Sequence, residues 1–280
     1  MEDNISLGNL TVIKSPKGWL NIGLKELWAY RELVYFFIWR DIKVRYKQTA
    51  IGALWAIFQP LVTMLIFTIF FGRFAKMPSD NIPYPIFVYT GLLLWNYFSF
   101  GLSHSSDSMV SNANIIQKVY FPRLIIPISS SLTGLIDFFI ASAIFIGLMV
   151  YYSFSPHISI IIYLPILILI TFLSSVGLGC FFASVNVKYR DVRYALPFFI
   201  QMLMFLTPVI YPMSMLGNKY KWLLYFNPMS GVIETARGVI FRNRAIDGLL
   251  LLSSIIVSLI LFIFGIMYFR KTERYFADII

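Results

Sequence analysis

Long stretches of this chain carry no charge, and their lengths set the architecture. From Leu124 to Val187 the only charged residue is Asp137. Further uncharged windows run from Gln48 to Gly72, Asn81 to Ser106, Tyr194 to Asn218 and Gly248 to Phe269. The hydrocarbon core of a bilayer is crossed by about 20 apolar residues of helix. Four of these windows fit one crossing each, and the longest fits two, divided at Ser153-Phe154-Ser155-Pro156-His157. The pattern predicts an all-α membrane protein with six transmembrane helices, at about 51–73, 84–104, 125–152, 158–185, 195–213 and 248–269.

The segments between these windows are less regular. Residues 1–23 read as a polar N-terminal extension, and Met1-Glu2-Asp3-Asn4 lacks the basic-then-apolar order of a cleaved signal, so insertion is expected to use the spans themselves. Residues 24–50 are helix-competent but include an apolar run from Leu33 to Trp39, too short to span and too continuous for one clean amphipathic face. A helix lying at the cytoplasmic interface fits best, with Trp28 and Trp39 at headgroup level and the cations facing lipid phosphates. Residues 105–123 form a connection with a helical piece ending at Phe121-Pro122. Residues 214–247 are too apolar for a solvated loop, since they include Trp222-Leu223-Leu224-Tyr225-Phe226 and Gly231-Val232-Ile233. Short re-entrant helices between the fifth and sixth spans explain them, because backbone at membrane depth must be buried in protein. No internal repeat is visible, which gives inverted-repeat carriers no support.

Composition agrees: 59% of the 280 residues are hydrophobic and 13% charged, against about 25% charged in soluble domains. The net charge of +10 reports topology rather than nucleic acid. With both ends on one side, sixteen of the 23 Lys/Arg residues fall on that side and seven on the other. The positive-inside bias then puts both termini in the cytoplasm, although five of the seven exceptions cluster in 219–247. The single cysteine, Cys180, excludes an intrachain disulfide and a thiol-rich metal site.

The chemistry within the spans is sparse. Asp137 stands alone; an intramembrane acid points to function by its cost, but with no basic residue at membrane depth the favoured reading is that it is protonated, or hydrogen-bonded to Ser or Thr of neighbouring helices, and fixes packing. His104 and His157 belong to opposite faces, and no Gly-x-x-x-x-Gly-Lys-Ser/Thr phosphate cradle occurs. A membrane-embedded glycan-transferring enzyme would need several carboxylates that meet, and a proton-coupled carrier more than one intramembrane ionisable group. The chain is therefore expected not to be an enzyme, to hold no cofactor or metal, and to draw energy from another subunit. Aromatics are abundant: Trp55 and Phe58, and Trp95 and Phe98, are each three residues apart on one helix face, and Phe198 and Phe205 share a face with Met202. Such rings stack on the apolar faces of sugars and suit a polymer conduit; interfacial aromatic belts are the alternative.

Five motifs in order then carry a resemblance. They are Arg45-Tyr46-Lys47-Gln48-Thr49 with Gly52, Leu54-Trp55 and Gln59-Pro60-Leu61; Asn112 through Arg123; Asn186-Val187-Lys188-Tyr189-Arg190-Asp191-Val192; Thr207-Pro208-Val209-Ile210-Tyr211; and Phe226-Asn227-Pro228-Met229. Over roughly residues 25–275 the chain resembles the permease subunits of polysaccharide-export ABC transporters, which export O-antigen, teichoic acid or capsular polysaccharide. The resemblance implies a homodimer in the bacterial inner membrane, docked on two copies of an ATPase subunit that binds ATP and Mg. It also implies a coupling helix between the second and third spans, and movement of a lipid-linked glycan out of the cytoplasm. In that frame Arg40, Arg45 and Lys47 are candidates to meet the pyrophosphate of a lipid carrier. Ile115, Ile116 and Val119, flanked by Lys118 and Arg123, are candidates to enter a groove on the ATPase. An exporter of small lipids or drugs is the nearest rival.

Overall fold

A computed structural model describes residues 24–47, 54–217, 220–241, 246–273 and 276. The polar extension 1–23, the end of the expected interfacial helix at 48–50 and the first residues of the expected first span, 51–53, lie outside the described residues. What is described is almost entirely helical, without strands. A short helix α1 (Leu24–Ala29) breaks at Tyr30 into α2 (Arg31–Lys47). Then follow α3 (Leu54–Phe67), extended by a π-helical stretch to Phe74, α4 (Tyr84–Ser111), the short α5 (Ala113–Ile116), α6 (Ile125–Tyr151) and α7 (Ile160–Lys188). The chain continues through α8 (Val192–Leu206), the short α9 (Lys221–Tyr225), α10 (Pro228–Phe241) and α11 (Gly248–Thr272).

Local chemistry explains several boundaries. Pro83 precedes α4 and Pro85 sits in its first turn, where a missing N–H costs nothing. Asp247 caps α11 by accepting from the Leu249 and Leu250 amides, both at 3.1 Å. Thr207-Pro208 ends α8, since the residue before a proline is pushed out of the helical region; Thr207 has ψ 140°. Among the described residues five helices are long and apolar enough to cross a membrane: Leu54–Phe74, Tyr84–Ser111, Ile125–Tyr151, Ile160–Lys188 and Gly248–Thr272. The fifth expected span, 195–213, instead holds the fifteen-residue α8 followed by non-helical backbone.

α4 is the centre of the bundle, most of its length buried between α6, α7, α3 and α10. Small polar side chains let these helices approach closely. Ser105 donates to the Pro127 carbonyl at 2.7 Å, and Ser131 and Ser175 share a hydrogen bond at 3.1 Å. α11 packs along α7 with Gly265 against Gly177, so that the two backbones touch. α3 is the least buried of the long helices.

Contacts sort the connections into two ends. At one, Arg193 at the start of α8 pairs with Asp107 of α4 at 3.1 Å, Phe37 of α2 packs on Phe121, and Arg123 donates to the Glu273 carbonyl after α11. At the other, Ser214 donates to Asp80 at 2.8 Å, Tyr84 to the Ile210 carbonyl at 2.9 Å, and Phe154 packs on Phe241. The first end is rich in cations, as the charge pattern leads one to expect.

Candidate functional site

The polar centre of the molecule forms where α2 crosses α6. α2 carries no clean amphipathic face, and Phe37 anchors it by burying its ring against Phe121 near the start of α6. That contact aims the last turn of α2 at the middle of α6. There Arg45 pairs with Asp137 at 2.6 Å, and the Tyr46 hydroxyl donates to the other carboxylate oxygen of Asp137. Burial first, and then the Asp137 charge, push the Tyr46 phenol above its ordinary pKa, so it stays protonated and serves as a donor. The expected Ser or Thr partner is not what Asp137 meets: among the described residues its partners are a cation and a phenol from a helix read as interfacial.

The Arg45 guanidinium also lies over the Phe100 ring at 4.5 Å, and Phe100 stacks on His104 at 4.0 Å between centroids. This stack separates two cavities. One, of about 310 Å³, lies between α3, α4 and α6 and is lined by Trp55, Gln59, Asn96, Ser103 and Asp137. The other, of about 620 Å³, lies toward the cationic end and is lined by Arg40, Asp41, Asp107, Asn112, Ser130 and Thr133. Arg45, Phe100 and His104 line both. The two cavities share these three side chains and together make a polar corridor inside an apolar bundle.

The other expected site residues fall in different places. Trp55 and Phe58 pair at 5.8 Å, both about half exposed on α3, and only Trp55 reaches the cavity. Trp95 and Phe98 pair at 5.3 Å but are buried inside the subunit, at 3% and 2% exposure. Phe198 and Phe205 are exposed on α8. Of the cations, Arg40 pairs with Asp41 at 2.7 Å and covers the Phe37 ring, Arg45 turns inward, and Lys47 is exposed. In the 105–123 connection the apolar positions diverge. Ile116 is buried beside Met109 and Phe121, Ile115 is half-buried, and Val119 is exposed together with Lys118 and Tyr120. Arg123 faces the end of α11.

Sequence reasoning missed one buried cation. Arg237 of α10 is 3% exposed and donates to the carbonyls of Pro208 and Val209, both at 2.7 Å, and of Phe87 at 3.3 Å, with its guanidinium 3.6 Å from the Phe87 ring centroid. It satisfies the Pro208 and Val209 carbonyls, which lie just past the end of α8. The apolar residues flanking it, Ala236 and Gly238, were the available signal.

Comparison with known proteins agrees with this architecture. O-antigen export system permease protein RfbA of Klebsiella pneumoniae is 29% identical over 241 residues, covering 86% of this chain and 92% of the relative. RfbA of Myxococcus xanthus is 26% identical over 258 residues, covering 91% and 98%. Polysialic acid transport protein KpsM of Escherichia coli is 24% identical over 243 residues, covering 84% and 91%. Residues 32–241 match the family model described as ABC-2 type transporter, a span that takes in α2, the polar corridor and α10. With three-quarters of its length inside that match, the chain belongs to the ABC-2 type transporter family.

Proposed function

We propose that this chain is the permease subunit of an ATP-driven exporter that moves a lipid-linked polysaccharide across the bacterial inner membrane. The observation that carries the reading is the charged corridor built by Arg45, Asp137 and Tyr46 within a bundle whose relatives are named for O-antigen export and polysialic acid transport. A pathway for a hydroxyl-rich polymer with an anionic lipid end needs polar walls at membrane depth. A pump for apolar drugs has no use for them.

In this reading two copies of the chain pair and dock on two copies of an ATPase that binds ATP and Mg. The sequence itself contains no phosphate cradle for that work. α8 counts as the fifth of six crossings, because Arg193 ties its start to the cationic end and Arg237 holds Pro208, just past its end, near Phe87 in the first turn of α4. α9 and α10 then dip back from the outer face. The exposed rings of Trp55, Phe58, Phe198 and Phe205 offer stacking surface along a shared conduit, while Trp95 and Phe98 brace α4 behind it. Arg40, Arg45 and Lys47 face the phosphates of the lipid carrier, and the 105–123 connection receives the push of the ATPase.

Deletion of the gene tests this. The expected result is a cell that makes lipid-linked polysaccharide, retains it inside and shows none at its surface, with export restored by this chain only when the ATPase is present and able to hydrolyse ATP. Normal surface polysaccharide in the deletion strain would overturn it.

A further inference from the structure

The neck between the two cavities is occupied by one ion pair, and its placement makes it a competitor for any anion that enters. Arg45 lines both cavities, whereas Asp137 lines only the one toward α3. An anion in the larger cavity therefore reaches the guanidinium in a space that Asp137 does not line. We propose that Asp137 is a resident counter-ion that a phosphate-bearing anion displaces from Arg45, so that binding removes one polar tie between α2 and α6 and leaves the Tyr46 hydrogen bond as the pivot. This rests on the reading of Arg45 as a phosphate-facing cation, and it assigns Asp137 the role of positioning residue for that site.

Three features of the geometry support exchange over a permanent tie. A guanidinium presents a planar fork that carboxylate and phosphate engage in the same way, so the two compete for one set of donors. Stacking on Phe100 at 4.5 Å does not depend on Asp137, so the guanidinium keeps this support through a change of partner. Tyr46 donates to Asp137 independently of Arg45, so the carboxylate left behind keeps a hydrogen bond and the exchange is reversible. Loosening matters because α2 packs against α6, and the Arg45 pair joins the end of α2 to the centre of the bundle. Anion occupancy at the neck is thereby converted into movement of a helix.

The test uses the full-length chain in phosphatidylcholine nanodiscs, with three probes: dioctanoyl phosphatidic acid, dioctanoyl phosphatidylcholine and inorganic phosphate. Wild type should bind phosphatidic acid and not respond to the zwitterionic lipid. Asp137→Asn, which keeps a partner for Tyr46 and removes the charge, should bind phosphatidic acid on the order of tenfold tighter, within the usual range of coupling between two sites. Arg45→Gln should bind weakly, and Asp137→Asn should have no further effect in its background. A matching response to inorganic phosphate would identify the source as free phosphate, and a response to the lipid alone would identify a headgroup; either supports the exchange. Equal or absent binding in wild type and Asp137→Asn would overturn it.

A second measurement stands if Asp137→Asn fails to insert. Spin labels at the exposed positions Lys43 and Phe139, in an otherwise native chain, report the separation of α2 and α6. Phosphatidic acid should increase that separation and phosphatidylcholine should not, and an unchanged separation at saturating phosphatidic acid would overturn the proposal. Failure of these measurements beside intact polysaccharide export removes the exchange alone. Loss of the export reading leaves the binding curves standing.

Discussion

Single residues decide how closely this bundle packs and where its polar chemistry sits. At the α7–α11 contact, a Cβ on Gly265 would collide with the Gly177 carbonyl, and one on Gly177 would lie 2.6 Å from the Leu261 carbonyl. Both obstacles are backbone, so neither can turn aside. Gly265→Ala is expected to force the helices apart and cost about 1–3 kcal/mol, read as a lower melting temperature in detergent. A melting temperature equal to wild type would show that α11 slides without loss. The same scale shows what sequence can reveal. Asp137 was legible as an anomaly, because a lone acid in an uncharged window stands out. Its partners were not, since Arg45 and Tyr46 lie some ninety residues away on a helix that composition assigns to the membrane surface. Charge patterns describe where a backbone runs; they do not describe a long side chain turning inward.

At the scale of the element, α10 and the 105–123 connection each separate a legible pattern from an illegible orientation. The apolar character of 214–247 foretold short helices, and α9 and α10 are there. Arg237 was counted among the cations exposed on the far side, yet it is a buried clamp on three carbonyls, which explains one of the exceptions to the charge bias. Hydrogen bonds from a charged donor contribute about 1.5–3 kcal/mol each. Arg237→Met should therefore cost several kcal/mol and loosen α10 from α4, measured as increased amide exchange at Val209–Ile210 and in the first turns of α4. Arg237→Lys, which cannot fork to three acceptors, should recover only part of the loss. In the connection, Ile115, Ile116 and Val119 are close in sequence, but Ile116 is 6% exposed and Val119 58% exposed. The outward surface is thus Val119, Tyr120 and Lys118. Val119→Asp is expected to insert normally and to copurify with its ATPase at least about tenfold less well, since an unpaired charge in an apolar groove costs several kcal/mol. Unchanged copurification and export would place the contact elsewhere. Ile116→Asp is the less informative variant, because it would disturb the packing around Phe37, Met109 and Phe121 first.

For the whole molecule, what remains to be argued is the number of crossings. A count of uncharged windows yields six, whereas length and hydropathy single out five helices and leave α8 at fifteen residues. At 1.5 Å per residue α8 is about 22 Å long, short of a hydrocarbon core of about 30 Å. A full crossing would take in the non-helical backbone from Thr207 to Pro212, whose Pro208 and Val209 carbonyls accept from Arg237 and whose Ile210 carbonyl accepts from Tyr84. The breaking signal at Thr207-Pro208 was readable in the sequence; the side chains that satisfy the break come from α10 and α4 and were not. If α8 with this extension crosses once, the termini share a side, and the cationic end that joins Arg193, Asp107, Arg123 and Glu273 faces the cytoplasm. Single cysteines at exposed positions, introduced after replacing buried Cys180 by Ala, make the test. Positions 81 and 214, whose segments meet where Ser214 donates to Asp80, should react with an impermeant maleimide in intact spheroplasts, while 118, 190 and 271 should react only after permeabilisation. Labelling of 190 and 214 from the same side would mean that α8 enters and returns, leaving five crossings and the two ends of the chain on opposite faces.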